Sequence, residues 1–500
     1  MRPGEGQTAE PAEGSAPRDG VGQVLGRGSL YTIATAVQLG SGLLAIPILT
    51  RILDPTEYGT VTAGLVILAV LVNVASFGMP AAVTRTWFRA GGPPAGRALI
   101  VVTLAGALVV GAVAYATGPL WSGVFVDVAW GSVLQLAVIA SVPAAVLLSA
   151  QVVLQAGARV RSFLISAALA TLGAQGLGVI LAATVGGASA YMVGITIGYT
   201  LGAAAAWLAA GVDFSALRRR SDVDTEARVP TGVPMIRRAL AVALPTIPHG
   251  LALYLLSAAD RIIVERLEGL PAAGAYYVAY AIGSLAIFLV AGLNGAWQPI
   301  IFAAEDEGRW RFLADSAIEI LRVVSVTVAA IAIGAPVALA VFAPPDYDLQ
   351  SLGSVSTMVA LSALPYLLYT SSANLIIWRG RTLTMGVATP IAVALNIGLC
   401  FLLIPSMGLD GAALATLVAY VLLGFLLFAW SGARTRIPWD WVRIAAASGP
   451  AVVGFALALA VPEDGFSWLV LRGVAATGLA LLAVARLTAE RRAVVSTTNV

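Results

Sequence analysis

Long apolar runs dominate this chain and restrict its fold more than any other feature. About fourteen segments are mostly apolar over roughly 18 or more residues, the length at which a helix crosses a hydrocarbon layer. The chain is 59% hydrophobic and 11% charged, whereas soluble domains have about 25% charged residues. The predicted fold class is an all-α polytopic membrane protein. Its predicted spans are residues 28–50, 59–84, 97–118, 129–155, 162–185, 187–210, 239–264, 272–296, 316–343, 352–377, 382–405, 409–430, 442–461 and 466–488.

The basic residues, all of them arginine, alternate between the connections. Arginines concentrate in every second connection, most of all in residues 211–238, and in the C-terminal tail. The opposite connections carry only four, which are Arg51, Arg261, Arg266 and Arg472. Because cytoplasmic loops of membrane proteins are enriched in basic residues, this pattern predicts an even number of spans with both termini in the cytoplasm.

An internal repeat divides the predicted spans into two sets of six. The segment Arg51–Gly59 after span one has the same Arg-to-Gly spacing as Arg266–Gly274 after span seven, and Arg159–Ser162 resembles Arg379–Thr382. Two such copies enter the membrane from the same side, which places a substrate path at their interface. A chance alignment of alanine-rich helices is the alternative.

The repeat and the polar stretches together give the domain boundaries. The predicted units are a disordered cytoplasmic tail at 1–27, an N-terminal six-helix bundle at 28–210, a cytoplasmic linker at 211–238, a C-terminal six-helix bundle at 239–430, two additional transmembrane helices at 431–488 and a cytoplasmic tail at 489–500.

Span seven contains the single histidine of the chain, His249, close to Pro245 and Pro248. Counted from the arginine that precedes the span, His249 lies roughly 16 Å deep, near the middle of a layer about 30 Å thick. Two prolines remove helical N–H donors, so we expect a bent helix that faces a wet cavity or a protein core. Asp260 and Arg261 are expected near the far edge of the layer.

Several short motifs resemble one transporter family in order and spacing. They are Leu49–Gly59 at the exit of span one, Ala259–Val264, Gly274–Tyr276, Leu395–Ile397 and Ile404–Ala413. On these residues the chain is similar to the polysaccharide-exporter branch of the MOP superfamily, the Wzx-type lipid-linked oligosaccharide flippases, over nearly all of residues 28–430. The resemblance implies a MATE-like pair of bundles that alternates between inward-open and outward-open states. It also implies a bacterial cytoplasmic membrane, movement of a polyprenyl-pyrophosphate-linked glycan, usually with an ion gradient, and contact with polymerase or glycosyltransferase machinery.

Arginine suits the diphosphate of such a substrate because its planar guanidinium pairs with phosphate oxygens. Arg85 and Arg89, one turn apart at the inner end of span two, are candidates for a loading site. Arg51, Arg261 and Arg266 are candidates for receiving the head group at the outer mouth. The alternative is that these arginines anchor helix ends.

Polar residues at mid-depth are candidates for binding sugar hydroxyls. They are Gln38, Asn73, Gln151, Asn374 and Asn396, with Gln175 at similar depth and Asn294 and Gln298 nearer a helix end. The alternative is helix-to-helix hydrogen bonding worth about 0.6 kcal/mol each.

His249 and Asp260 are candidates for ion coupling, because histidine changes charge near neutral pH and the two lie on nearly the same helix face. The alternatives are a neutral histidine hydrogen-bonded within the bundle and an aspartate that neutralises Arg261.

Other functional classes fit the sequence less well. A MATE-like cation antiporter normally has a carboxylate deep in the bundle, and we expect none near the midplane here. A membrane enzyme needs paired carboxylates or a nucleophile in a sizeable loop, and neither is visible. A lone cysteine, Cys400, in an apolar run predicts no metal site, and we expect no cofactor and no nucleic-acid partner. A transport-inactive scaffold with the same fold stays open.

Overall fold

The computed structural model describes residues 42, 45–90, 92–212, 232–244, 247–256, 258–303, 308–347, 352–379, 381, 383–460 and 465–498. Residues 45–52 are helical. The further helices of the N-terminal half are α1 Pro55–Ala75, α2 Met79–Arg85, α3 Gly92–Ala116, α4 Gly118–Trp121, α5 Ser132–Ala156, α6 Val160–Ala168, α7 Ala174–Thr184 and α8 Gly187–Ala210.

The second half continues with α9 Gly232–Ala243, α10 Ile247–Leu256, α11 Ala259–Glu268, α12 Leu270–Ala303, α13 Arg309–Phe342, α14 Leu352–Leu361, α15 Ala363–Trp378, α16 Leu383–Met407 and α17 Leu409–Ser431. The last helices are α18 Ala433–Arg436, α19 Trp441–Ala460 and α20 Phe466–Thr498. No strand is present in the described residues, so the predicted all-α membrane fold is confirmed.

Twelve helices in the described part of the chain are long and apolar enough to cross a membrane. They coincide with all the predicted spans except the first and the seventh. Most of span one lies outside the described residues. Predicted span seven, residues 239–264, covers most of α9, all of α10 and the first part of α11. Ala258, with φ −140° and ψ −16°, is not helical, so α11 starts as a separate helix. Residues 245, 246 and 257 lie outside the described part, so the predicted bend at the prolines stays a prediction. The total of fourteen spans stays a prediction.

The helix contacts repeat between the two halves, as a duplication requires. In the first half α5 packs against α1, α3 and α8, while α7 packs against α8. In the second half α14 packs against α12 and α13, α15 against α17, and α16 against α17. When spans two to six are matched in order with spans eight to twelve, each of these contacts in the first half corresponds to one of the contacts in the second half. The domain boundaries themselves stay a prediction, and α9 packs against α2 and α3 of the first half.

The two halves meet where α1 begins and α12 begins, at the end of the helices that the arginine pattern predicts to face outward. We call this the outer end. Asp54 accepts a hydrogen bond from the amide of Glu57 at 2.8 Å and so caps α1. Glycines allow α1 and α12 to come close together after this cap, because a Cβ on Gly59 would lie 2.2 Å from the carbonyl oxygen of Leu270. A Cβ on Gly274 would lie 2.9 Å from that of Pro55. The two glycines of the predicted repeat therefore pack at one seam.

The last two long helices, α19 and α20, pack on α13. A Cβ on Gly454 would lie 2.5 Å from Ala329 of α13, so small residues allow this close approach. At the inner end of α19, Arg443 forms ion pairs with Asp315 at 2.7 Å and Glu319 at 3.4 Å. These helices extend the C-terminal half rather than join the seam between the halves.

Candidate functional site

Arg261 lies at the seam between the two halves and is the best-placed candidate cation. It lies in the first turn of α11, the third helix in the region of span seven. Its guanidinium carbon is 4.7 Å from the ring centroid of Tyr277 and 4.4 Å from that of Tyr280. Cation–π contacts of this kind contribute about 0.5–2 kcal/mol, and they fix the side chain without neutralising its charge. The buried Nε of Arg261 has no hydrogen-bond partner among the described residues. A donor therefore stays available for an anion.

Asp260, the neighbour of Arg261, points into the C-terminal half and is fully buried. Its Oδ2 accepts hydrogen bonds from the hydroxyl of Tyr276 at 2.7 Å and from that of Thr416 at 3.1 Å. Asn396 donates to the same threonine hydroxyl at 3.3 Å, and its Oδ1 is buried without a partner in the described structure. The sequence predicted only the depth of Asp260, near the far edge of the layer. The structure adds that its side chain belongs to a buried polar network that joins α11, α12, α16 and α17.

Glu265, one residue past the predicted span seven, was not singled out by sequence reasoning. Its Oε1 accepts hydrogen bonds from the backbone amides of Val126 at 2.9 Å and Asp127 at 2.8 Å. These amides belong to the connection between α3 and α5 of the first half, so the carboxylate links the halves. Burial raises the pKa of Glu265, the two amide hydrogen bonds oppose that rise, and the nearby Asp127 adds to it. We call this contact the Glu265 latch. Only the position of a carboxylate just beyond a span could have marked it in the sequence.

A small cavity of about 10 Å³ lies behind the latch and is lined by both Arg261 and Glu265, together with Gly59, Thr62 and Phe125. The Oε2 of Glu265 is buried and unpartnered in the described structure. The Glu265 latch and the glycine contact at Gly59 therefore pack around the same cavity that Arg261 lines.

Arg51 and Arg266, the other two arginines predicted at the outer mouth, bind backbone carbonyls across the halves. Arg51 donates to Val341 at 2.9 Å and also to Pro47. Arg266 donates to Val124 at 3.4 Å. Both side chains are exposed, and their contacts agree with the alternative that they anchor helix ends.

The tyrosines at the outer end add to the closure. The ring of Tyr58 on α1 makes edge contacts with Tyr277 and Tyr347, each with centroids 6.0 Å apart. The hydroxyl of Tyr347 donates to the carbonyl of Leu53 at 3.0 Å. Since Tyr58 comes from the first half and the other rings from the second, this cluster also spans the seam.

The mid-depth polar residues divide into a cluster and separate sites. Asn374 accepts from Gln298 at 2.8 Å and donates to Asn294 at 2.9 Å, and this amide cluster lies within the C-terminal half. Asn73 faces the other half, because a Cβ on Gly250 would lie 3.8 Å from its Oδ1. Gln151 is buried, with an unpartnered Nε2 in the described structure.

The inner-end candidates are only partly described. Arg85 is exposed at the end of α2 and forms no hydrogen bond or ion pair with other described residues. The side chains of Arg89 and His249 lie outside the described part of the structure, and so does the whole of Gln38. Their assignments, and the roles of all the candidate residues, stay predictions.

Comparisons with known proteins agree with this architecture. The chain is similar to the lipid II flippase MurJ in an inward closed conformation, with a TM-score of 0.65 and 13% identity over 92% of this chain and 99% of that one. It is also similar to an inward-facing multidrug resistance MATE family transporter of the MOP superfamily, with a TM-score of 0.56 and 16% identity over 82% of this chain and 96% of that one. A MOP superfamily transporter from Pyrococcus furiosus matches with a TM-score of 0.56 and 15% identity, over 84% and 96% of the two chains.

No curated protein matches the chain in sequence. The structural matches show the fold, which is that of MOP-superfamily transporters. Together with the family match that follows, they confirm the resemblance drawn from the sequence motifs. The family described as polysaccharide biosynthesis protein matches residues 25–305, which is more than half of the chain. The chain therefore belongs to the polysaccharide biosynthesis protein family.

Proposed function

We propose that this protein is a secondary transporter that flips a polyprenyl-pyrophosphate-linked oligosaccharide from the inner to the outer leaflet of a bacterial cytoplasmic membrane by alternating access. It would serve surface polysaccharide biosynthesis beside polymerase and glycosyltransferase machinery. Both termini would lie in the cytoplasm, as the arginine pattern predicts. The membership in a polysaccharide biosynthesis family and the likeness to a lipid II flippase support a transporter of lipid-linked glycans rather than an enzyme.

The observation that carries this proposal is the position of Arg261. A cation with a free donor lies at the seam of the two halves, over the rings of Tyr277 and Tyr280. A guanidinium in such a place attracts the diphosphate of the substrate. The neighbouring aromatic rings offer flat apolar faces with polar hydroxyls, which suits the amphipathic surface of a sugar. An antiporter for cationic drugs would gain nothing from this charge.

The test is to replace Arg261 by Gln and by Lys and to measure surface glycan and lipid-linked precursor in cells at matched protein levels. We expect Arg261→Gln to lower export by about tenfold or more, because a charge-assisted contact contributes about 1.5–3 kcal/mol, and to accumulate precursor. Arg261→Lys should restore part of the export. The matched control is Arg434→Gln, since Arg434 is an exposed arginine in α18, outside the contact between the two halves. Normal export by Arg261→Gln would refute the assignment, and a deletion strain with intact surface glycan and no precursor would refute the function.

Ion coupling would use His249 and Asp260, the groups that the sequence marked. The buried network of Asp260 with Tyr276, Thr416 and Asn396 supports a role for this carboxylate, because a buried charge in a membrane protein is expensive unless it serves a function. Replacing His249 by Ala should change the pH or ionophore sensitivity of transport. An unchanged pH profile would remove His249 from the mechanism.

A further inference from the structure

Three arginines converge at the inner end of the C-terminal half. Arg379 follows α15, Arg381 precedes α16 and Arg436 ends α18. The Nη1 of Arg379 donates to the carbonyl of Ser431 at 3.2 Å. The same Nη1 and the Nε of Arg436 lie 3.7 and 3.5 Å from the point where a Cβ on Gly432 would be. Gly432 has a φ of +76°, a conformation that glycine adopts without strain, and its missing side chain leaves room for both guanidinium groups. We call these three residues the arginine triad.

The charge of the arginine triad is not compensated by the described residues. The ion pairs of the described structure nearby join Arg443 to Asp315 and Glu319, and Arg322 to Glu319, whereas none of them includes the triad. The pKa of Arg379 is lowered, by partial burial first and then by the positive charges of Arg436 and Arg381. Cations held close together against their mutual repulsion attract an anion from the membrane surface.

An apolar slot of about 250 Å³ lies beside the triad, between α13, α15 and α19. Its walls include Leu321, Leu364, Leu368 and Ile444, and its inner end is formed by Trp439 and Trp441. Tryptophan is enriched at the level of lipid headgroups. The indole of Trp439 donates to the carbonyl of Ala433 at 3.2 Å, which ties the slot to the turn that carries Gly432 and Arg436. We call this cavity the tryptophan slot.

The distance between the arginine triad and the tryptophan slot matches the distance between the headgroup and the acyl chain of a phospholipid. Ser371 lines the slot on α15, and Arg379 follows the same helix eight residues later, which corresponds to about 12 Å along the axis. The arginines therefore lie at headgroup level when the slot lies among the acyl chains. We propose that the arginine triad and the tryptophan slot form a binding site for one anionic phospholipid of the adjacent leaflet, with its phosphate on the triad and one acyl chain in the slot.

The position of the slot favours a resident phospholipid over the transported carrier lipid. The slot is lined by the appended helix α19, whereas the contacts between the two halves involve α1, α2 and α3 with α9 to α12. A chain bound there fills the gap between α19 and α15 and thereby fastens the appended helices to the C-terminal half. The site is independent of the flippase proposal, since it needs no substrate to cross the membrane.

Native mass spectrometry of the purified full-length protein tests this site. The protein is titrated with phosphatidylglycerol, with zwitterionic phosphatidylethanolamine and with undecaprenyl phosphate, and thermal stability is followed in parallel. We expect one phosphatidylglycerol to bind preferentially and to raise the melting temperature. Replacing all three triad arginines by Gln should lower its affinity about a hundredfold, since each arginine near an anionic lipid contributes a factor of about five.

Two variants separate the headgroup contact from the chain contact. Ser448→Phe places a ring in the slot and leaves every charge unchanged, so it should also abolish the selective binding. Arg434→Gln removes an exposed arginine of the same short helix and should leave binding at the wild-type level. Retention of phosphatidylglycerol by both the triple variant and Ser448→Phe would overturn the proposal. Displacement of phosphatidylglycerol by undecaprenyl phosphate at equal concentration would overturn it too, because the slot would then belong to the carrier lipid.

Discussion

The outer and inner ends of the two bundles are built in different ways. The outer end has few arginines but many contacts across the seam: the Gly59–Gly274 packing, the Glu265 latch and the rings around Tyr58. The inner end is rich in arginines, and many of them are exposed, including Arg85, Arg161, Arg311, Arg381 and Arg434. Side-chain packing between the halves therefore closes the outer end, whereas the inner end is distinguished by its positive charge. The difference indicates that this structure is closed at its outer end, and that an anion approaching from the arginine-rich end meets attraction before it meets a barrier.

Forcing the outer end apart should have the largest effect. Gly59→Leu would place atoms inside the contact distance of the Leu270 carbonyl, and overpacking of this kind costs about 1–3 kcal/mol. We expect the closed state to lose about tenfold or more in population. A cysteine introduced as Thr62→Cys, at a buried position in the cavity behind the latch, would report this as faster labelling by an impermeant thiol reagent from the outer side.

Background labelling in that experiment should be low, because the single native cysteine, Cys400, is buried. Gly176→Leu is the matched control, because a Cβ at Gly176 meets nothing within 4 Å. Equal labelling of the Gly59→Leu variant and the control would contradict the assignment of the glycine contact as the outer closure.

The Glu265 latch should respond to pH in a defined direction. Burial raises the pKa of Glu265 in the closed state, whereas an opened latch returns the carboxyl to water and to its ordinary pKa. The closed state therefore binds the proton more tightly. Its extra stability is fully present below the ordinary pKa of a glutamate and is lost as the pH rises through the raised value. Labelling of any thiol rises with pH because the thiolate is the reacting form, so the rate at Thr62→Cys is divided by that of an exposed cysteine at the same pH. We expect this ratio to increase severalfold on going from acid to neutral pH.

Substitutions of Glu265 separate its charge from its hydrogen bonds. Glu265→Gln keeps an acceptor for the amides of Val126 and Asp127 and should remove the pH dependence while the end stays closed. Glu265→Ala leaves both amides without that partner and should raise labelling at every pH, because an unpaired buried amide costs about 1–3 kcal/mol. Glu268→Gln, an exposed carboxylate on the same helix, serves as the control. A pH response that survives in Glu265→Gln would assign the titration to another group.

The sequence predicted much of the framework and less of the site. The bilayer alone determines the apolar length of a span and the placement of arginines, so twelve of the spans could be predicted without coordinates. The repeat predicted that Gly59 and Gly274 are equivalent, and equivalent residues near a symmetry axis come into contact. The sequence could not predict the orientation of the Asp260 side chain, because its hydrogen-bond partners Tyr276 and Thr416 lie on other helices. The Glu265 latch also depends on a partner that is remote in sequence, the backbone of residues 126 and 127.

We expect substitutions at the inner end to change export less than substitutions at the outer end. Arg85 is exposed and has no partner among the described residues, so Arg85→Ala should leave the folded protein as stable as the wild type. An exposed cation contributes about 0.2–1 kcal/mol to an ionic contact, so loss of a loading contact should lower export only about two- to fivefold. Export at limiting precursor should fall more than export at saturating precursor, because a loading residue acts on capture rather than on the conformational change. Export equal to wild type at both precursor levels would mean that Arg85 only anchors a helix end. An equal fall in export at both levels would mean that Arg85 acts on the conformational change. The inner end would then also contribute to closure, which the structure shows only at the outer end.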